Sequence, residues 1–597
     1  MSHEISDIAG AEAVVVAEGN MCGTATRGAD ALPGSKTISR TEGSRRNLGN
    51  LRTEPQAERP CGTRREDIAS KPTTCSEKSD PLIIATKLSN KTGKPAAEMM
   101  EQRGGAGGSA SQRNTSQAQS WIGVSRELER TRGAGEPIKI DSLEPVRRLA
   151  KENKDERFIS LLHHVNPDRL RKAYFAVKRN AAPGIDKITW KEYGKEDLDR
   201  KLIDLHNRIH LGTYRATPAR RQYIPKPDGT KRPLAIAALE DKIAQRAVAD
   251  IIEAIYETDF TGFSYGFRPG RGTHDAMDAL IVGIEKRKVN WILDIDIQKF
   301  FDSVDHEWLI KFLEHRIADR RIIRLIQKWL KVGVMEDDEI KPNEVGTAQG
   351  AVISPILANV FLHYVFDLWA VQWRGRKAKG DMVVVRYADD MVLGFQYEAD
   401  ARCFRAEMQE RLSEFKLTLH PKKTRLIEFG RFATKSRARK GLGKPETFTF
   451  LGFTFICSQT QAGKFAIKRT TRKDRMKIRL KEIGEKLKRR MHKPADETCR
   501  WLAQVVRGHY AYFAVPTNYR ALGVFRAQVV YLLKRALSKR SQRGWVTWAE
   551  ISKLANKHLP MPRISHPWPS ERFAVRHHRW ELGAGKPLAQ ICAGGGE

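Results

Sequence analysis

The sequence predicts an α+β protein, and three patterns predict it. Runs rich in β-branched residues read as hairpins at 222–236 and 383–395, with a further strand at 291–297. Apolar residues at helical spacing fill most of the chain between them. After residue 463 the sequence reads as helices with a cationic surface. At 597 residues the chain is long enough for more than one domain and a sizeable core.

The first 140 residues are Gly-, Ser-, Thr- and Arg-rich with one aromatic, Trp121. Such a segment buries too little apolar surface to offset chain entropy, so disorder is expected there. From 141 the pattern becomes globular: "IDSLEPVRRLAKEN" and "NPDRLRKAYFAVKRN" have helical spacing behind Asp-Ser and Asn-Pro-Asp starts. "NAAPGIDKITW" is a Pro-Gly loop, and "QYIPKPDGTKRPLAI" reads as strand, Pro-Asp-Gly turn, strand. Helices follow to about 257, then the Gly-rich "TGFSYGFRPGRGTHDAM", the strand at 291–297, helices to about 331 and a loop ending in "GTAQGAVISP". A long helix over 353–373 precedes the 383–395 hairpin.

Lys and Arg number 106 against 71 Asp and Glu, a formal charge of +35 that favours nucleic acid over a membrane surface as partner. No run of about 18 apolar residues or signal-peptide pattern is read, so a cytoplasmic protein is expected. Seven scattered cysteines without a Cys-x-x-Cys pair suit a reducing compartment and argue against a zinc module.

"VVVRYADDMVLGF" sets Asp389 and Asp390 side by side between two apolar runs. Adjacent like charges are costly in an apolar setting unless something neutralises them. In "ILDID" the period of two puts Asp294 and Asp296 on one strand face, and beside the hairpin these would bring three or four carboxylates together. Oxygen-only donors suit Mg²⁺, and two such ions activate a 3′-hydroxyl and neutralise a leaving pyrophosphate. The plain alternative is a solvated turn, where Asp is common.

"DIDIQKFFDSVDH", "GFRPGRGTHDA", "GTAQGAVISPILANVFL", "RYADDMVL", "HPKKTRLIEFGR" and "TFTFLGFTF" stand in the order and spacing of group II intron reverse transcriptases. "NAAPGIDKITW" resembles that family's N-terminal extension, and "VRGHYAYFAVPTNYRALGVFRAQV" its maturase-specific region. The resemblance spans roughly residues 150–570. It implies a right-hand polymerase, with fingers, a palm built on an antiparallel sheet, and a helical thumb and maturase domain. The boundaries expected are an N-terminal extension of the fingers at 141–215, fingers and palm at 216–463, thumb and domain X at 464–545, and a short nucleic-acid-binding tail at 546–597.

The resemblance assigns two Mg²⁺ ions to Asp296 and Asp389, with Asp390 supporting. Phe301 would lie under the sugar of the incoming nucleotide and reject a 2′-hydroxyl, while Phe300 packs in the core. Gln349 and Gly350 match a Gln-Gly that contacts that nucleotide; Ala348 and Ala351 stand where the family usually has Pro and Gly. Lys226 and Arg232 resemble cations that close on the triphosphate, with surface charge beside a turn the other reading of Lys226. Lys423, with Lys422 as rival, matches a general acid for pyrophosphate. Arg268 is placed on nucleic acid, with hydrogen bonding within its own loop as the other reading.

Residues 464–543 hold 23 Lys and Arg against five Asp and Glu. Met476, Leu480, Ile483 and Leu487 form one apolar stripe, leaving Lys477, Lys481, Lys488 and Arg489 to meet phosphates. Tyr510, Tyr512, Phe513 and Tyr519 are either stacking rings or helix-packing core. Cys592 alone and adjacent His577–His578 do not make a tetrahedral site, so no metal-bound nuclease is expected. The function implied is RNA-directed DNA synthesis with assistance to intron splicing and mobility. Its partners are intron RNA, an RNA template with DNA primer, target DNA and deoxynucleoside triphosphates; the oligomeric state stays open, a dimer included. The rival readings are a retron, diversity-generating or CRISPR-linked reverse transcriptase, or a maturase that only splices.

Overall fold

The computed structural model describes residues 143–576 apart from 226–230, 338, 342–344 and 541–544. The segment 1–140, Lys226, His577, His578 and Cys592 lie outside the described residues. The chain begins with helices α1 (Glu144–Glu152), α2 (Pro167–Ala176) and α3 (Leu198–His210). Asn166 caps α2 as its sequence predicts: the side-chain oxygen accepts from Arg169 N at 2.9 Å.

Strands β1 (Ala219–Pro225) and β2 (Lys231–Ile236) form the predicted hairpin, with Ile224 opposite Arg232. Helices α4 (Leu239–Tyr256) and α5 (Thr273–Lys286) follow, then β3 (Trp291–Ile295), which ends before the expected residue 297. After α6 (His306–Glu314) and α7 (Arg320–Lys331) comes a second small hairpin, β4 (Val334–Glu336) and β5 (Glu339–Lys341). It joins the first through a parallel β1–β4 pair, giving a sheet of order β2-β1-β4-β5. These three-residue strands are too short to leave a period-two signal in the sequence.

The long helix expected over 353–373 is a continuous stretch in three parts: α8 (Ser354–Leu362), a π-helical turn His363–Asp367, and α9 (Leu368–Arg376). By length and composition Ser354–Arg376 could cross a membrane, a stretch that simple inspection of the sequence overlooked; 72% of its apolar window is buried inside the protein. Next come β6 (Met382–Tyr387), β7 (Asp390–Phe395), α10 (Glu398–Glu414) and β8 (Arg425–Glu428). They complete an antiparallel sheet of order β6-β7-β3-β8. Val383, Val385, Val392 and Ile292 of this sheet pack with Ala276, Leu280 and Ile284 of α5 in one buried cluster. A Cβ at Gly283 would stand 2.8 Å from Val383 Cγ1, so glycine is what lets α5 close on the sheet.

A third sheet, β9 (Phe448–Phe450), β10 (Phe453–Gln459) and β11 (Phe465–Thr471), joins that core. The cationic helices therefore start at 473 and not at 464, because the alternating "FAIKRTT" pairs with β10 as a strand. Helices α11 (Lys473–Arg489), α12 (Ala495–Phe513), α13 (Tyr519–Ser538) and α14 (Trp548–His558) enclose a second core that includes Ile483, Leu487, Leu502, Phe525, Leu533 and Ile551. The described part of the expected tail is folded into the body. α14 contributes Ile551 and Ala555 to the helical core, while α15 (Pro569–Arg576) buries Phe573 against the α5 cluster. Arg572 there donates to Asp278 of α5, whose other oxygen accepts from Arg469.

Candidate active site

Pairing of Tyr387 with Asp390 leaves Ala388 and Asp389 as a two-residue hairpin loop. Ala388 has φ 56°, a left-handed conformation that costs a non-glycine residue on the order of 1–2 kcal/mol. Its surroundings hold it there. Arg386, fully buried, donates Nη1 to the Ala388 carbonyl at 3.1 Å and to Asn359 Oδ1 at 3.1 Å. Its other two nitrogens grip Asp367, at 2.7 Å from Nε and 2.5 Å from Nη2. Asp367 closes the π turn, a local widening of the helix of the kind that often marks functional sites.

Asn359 passes the tie on, donating to the Gly266 carbonyl at 2.8 Å. A Cβ at Gly266 would lie 2.3 Å from Ala388 N, so only glycine permits the approach. The Gly-rich segment is also strapped to β6, since Tyr265 N donates to the Arg386 carbonyl at 2.8 Å. This frame leaves little trace in the apolar pattern. Its signal was an arginine within a run of valines, where a charge is tolerated only with a buried partner.

The third carboxylate arrives along β3. Asp294 faces Val392 and Ile295 faces Met391, and Asp296 follows directly after the strand, near enough to act electrostatically on both Asp389 and Asp390. Asp296 receives Lys423 Nζ at 3.1 Å, and Arg425 lies 3.7 Å from Asp294. Desolvation raises the Asp389 pKa first, and Asp296 raises it further; Arg232 and Arg386 oppose this. Desolvation also raises Asp390, followed by Asp389, Asp296 and Asp294, with Arg475 lowering it. Asp390 nonetheless keeps an exposed side chain, so it remains open to a ligand.

Mutual repulsion among carboxylates with oxygen-only donors is a site that a hard divalent cation relieves, and Mg²⁺ fits that donor set. Among the described residues no three acidic, His or Cys groups are already gathered to hold a metal. Lys423 supplies the positive charge at Asp296 instead.

The expected nucleotide-facing residues stand nearby. Phe300 is buried against Phe361, whereas Phe301 is half-buried, the division the sequence suggested. Thr347 N donates to the Phe301 carbonyl at 2.7 Å, linking it to the Gln349 loop. That loop docks on β2, with Ala235 N donating to the Gln349 carbonyl at 2.8 Å. Gly350 has φ 112°, and a Cβ there would meet the Ala235 carbonyl oxygen at 2.9 Å. Ala348 and Ala351 do not disturb the turn: Ala351 N donates to the Ala348 carbonyl at 3.0 Å. A cavity of about 350 Å³ lies between this loop and the hairpin, lined among others by Arg221, Tyr223, Gln245 and Asp302.

Arg268 is a correction. Its side chain is 2% exposed and committed to Glu257 and to the carbonyls of Thr261 and Ser264, so it pins its own loop and has no surface to offer a template. Tyr510 is buried, and Tyr512 and Phe513 pack against the cores; of the four candidate rings Tyr519 alone is largely exposed. Along α11, Lys477, Lys481, Lys488 and Arg489 are all exposed, while Ile483 and Leu487 are buried with Met476 and Leu480 against them.

Paired carboxylates on a hairpin tip, facing a third at the end of the neighbouring antiparallel strand, define a nucleotidyl-transferring polymerase as the class. Residues 224–455 match the family of reverse transcriptases (RNA-dependent DNA polymerases). The chain is 31% identical over 316 residues to protein YkfC of Escherichia coli K12, across 48% of this chain and 78% of that one. It is 36% identical over 229 residues to the group II intron-encoded protein LtrA of Lactococcus lactis subsp. cremoris, across 37% of each. A putative COX1/OXI3 intron 1 protein of Saccharomyces cerevisiae is 26% identical over 456 residues, covering 66% of this chain and 52% of that one. The chain thus spans between about a third and a half of those two intron-encoded relatives. It belongs to the reverse transcriptases of the group II intron-encoded kind.

Proposed function

We propose that this chain copies RNA into DNA and, as a maturase, binds its intron RNA to assist splicing and mobility inside the cell. In this reading β6-β7-β3-β8 is the palm sheet, β2-β1-β4-β5 belongs to the fingers, and α11 to α14 form the thumb and maturase domain. The observation that carries it is the β3–β7 pairing, which brings Asp296, one residue past the end of β3, beside the Asp389–Asp390 turn.

Asp296, Asp389 and Asp390 would hold Mg²⁺, which supplies charge stabilisation for the attacking 3′-oxygen and the leaving pyrophosphate. Lys423, which pairs with Asp296, would offer a proton to the pyrophosphate oxygen. Arg232 acts electrostatically on Asp389 and is suited to neutralise the incoming triphosphate beside it. Lys226 shares that role. Phe301 excludes a 2′-hydroxyl, and the Gln349 amide orients the sugar or base. The exposed cations of α11 grip the phosphates of the template–primer duplex and of folded intron RNA.

Primer extension on an RNA template, run beside splicing of the flanking intron RNA, tests both halves. Complementary DNA made only with divalent metal and deoxynucleotides, together with splicing stimulated by the protein, is the expected result. Splicing without extension marks a splicing-only maturase, and extension without splicing marks another class of reverse transcriptase.

A further inference from the structure

We infer that Tyr531, Trp545 and Trp548 form a stacking platform for unpaired bases of single-stranded RNA, distinct from the cationic face of α11. The proposal rests on the RNA-binding reading above. The three rings are 48%, 79% and 54% exposed, and they gather where α13 meets the start of α14. Tyr531 and Trp548 lie near parallel, with ring centres 6.5 Å apart at 25°. Lys534 Nζ stands between the indoles, 4.8 Å from the Trp545 centre and 5.4 Å from that of Trp548.

Trp548 and Tyr531 stand on well-anchored helices. Trp548 is the first residue of α14, behind a complete capping box in which Thr547 Oγ1 accepts from Glu550 N and Glu550 accepts from Thr547 N. Tyr531 and Lys534 ride on α13, whose opposite face buries Leu533, Val529 and Phe525.

Grouped exposed aromatics of this size mark a binding surface, and the charge around them selects its occupant. Lys534 lies within the group, and Arg535 and Lys539 are exposed on the same end of α13. A base offers π-faces to the rings while its phosphate meets these cations, the combination by which single-stranded nucleic acids are held.

The test measures binding of the full chain to a fluorescently labelled, unstructured RNA of about 15 nucleotides, a size suited to such sites. A DNA oligomer of the same sequence and a blunt RNA duplex serve as comparisons. The variants are the double substitutions Trp545→Ala with Trp548→Ala, and Trp545→Phe with Trp548→Phe. The alanine pair should lose about tenfold in affinity for the single strand, as expected for lost stacking, with duplex affinity kept within about twofold. The phenylalanine pair should recover most of the loss. The salt dependence should stay as steep as in the parent chain, because stacking releases no counterions.

Unchanged single-strand affinity in the alanine pair overturns the platform. So does an equal loss on the duplex, or a phenylalanine pair as weak as the alanine pair. Tighter binding of the DNA oligomer than of the RNA overturns the assigned occupant. A parent chain that binds no RNA defeats the broader RNA-binding reading, a result plainly different from a parent that binds and a variant that binds equally well.

Discussion

Arg386 is a charged side chain with no exposed surface, and both of its long-range partners, Asp367 and Asn359, are buried with it. Removing one member of a buried ion pair leaves the other uncompensated, at a cost of about 3–5 kcal/mol. Arg386→Met should therefore lower the melting temperature. It should also reduce extension beyond what the lost folded fraction explains, since the Ala388 carbonyl loses its anchor and Asp389 its position. Thermal unfolding and primer extension on the same preparation check this; a destabilised variant with full activity per folded molecule would show the frame to be structural only.

Phe301 makes a second residue-scale prediction. Half-buried beside the Gln349 loop, Phe301 is the proposed barrier beneath the nucleotide sugar, and Phe301→Ala should raise ribonucleotide incorporation by one to two orders of magnitude relative to deoxynucleotides. Single-nucleotide incorporation with each triphosphate measures it, and an unchanged ratio would reduce Phe301 to packing.

At the scale of elements, α11 presents Lys477, Lys481, Lys488 and Arg489 to solvent on a helix anchored by Ile483 and Leu487. Reversing these charges should weaken intron RNA binding and flatten its salt dependence by just under one unit of slope for each phosphate no longer neutralised. Filter binding across a salt series is the measurement; an unchanged slope would make this face merely solvated. The stripe that buries this helix was readable because its spacing is local. So was the 383–395 hairpin, whose two apolar runs flank a polar pair. Less was readable where the partner is distant in sequence. For Arg268 the sequence left two readings open, template binding or hydrogen bonding within its own loop, and Glu257, eleven residues earlier, decides for the second. Strand β11 was masked by its Lys and Arg content, because the buried Arg469 pairs with Asp278, far back on α5. The π turn that aims Asp367 at Arg386 leaves no mark in apolar periodicity.

For the whole molecule, every residue proposed for chemistry lies within 224–428, and the helices with the exposed cations proposed to meet phosphate follow at 473 and beyond. A chain beginning at residue 126 keeps all of these and should extend a primer on a short RNA template within about twofold of the full chain. Loss of extension on that truncation would assign the first 125 residues a part in polymerisation. The separation of chemistry from grip also frames the central test. Asp389→Asn removes one charge from the proposed metal site while leaving the cationic surface of α11 intact. Primer extension by this variant at saturating RNA template and primer, with RNA affinity measured alongside, is the most direct measurement. The account predicts extension reduced by at least a thousandfold with RNA affinity within about twofold of the parent. Near-normal DNA synthesis by Asp389→Asn would contradict it.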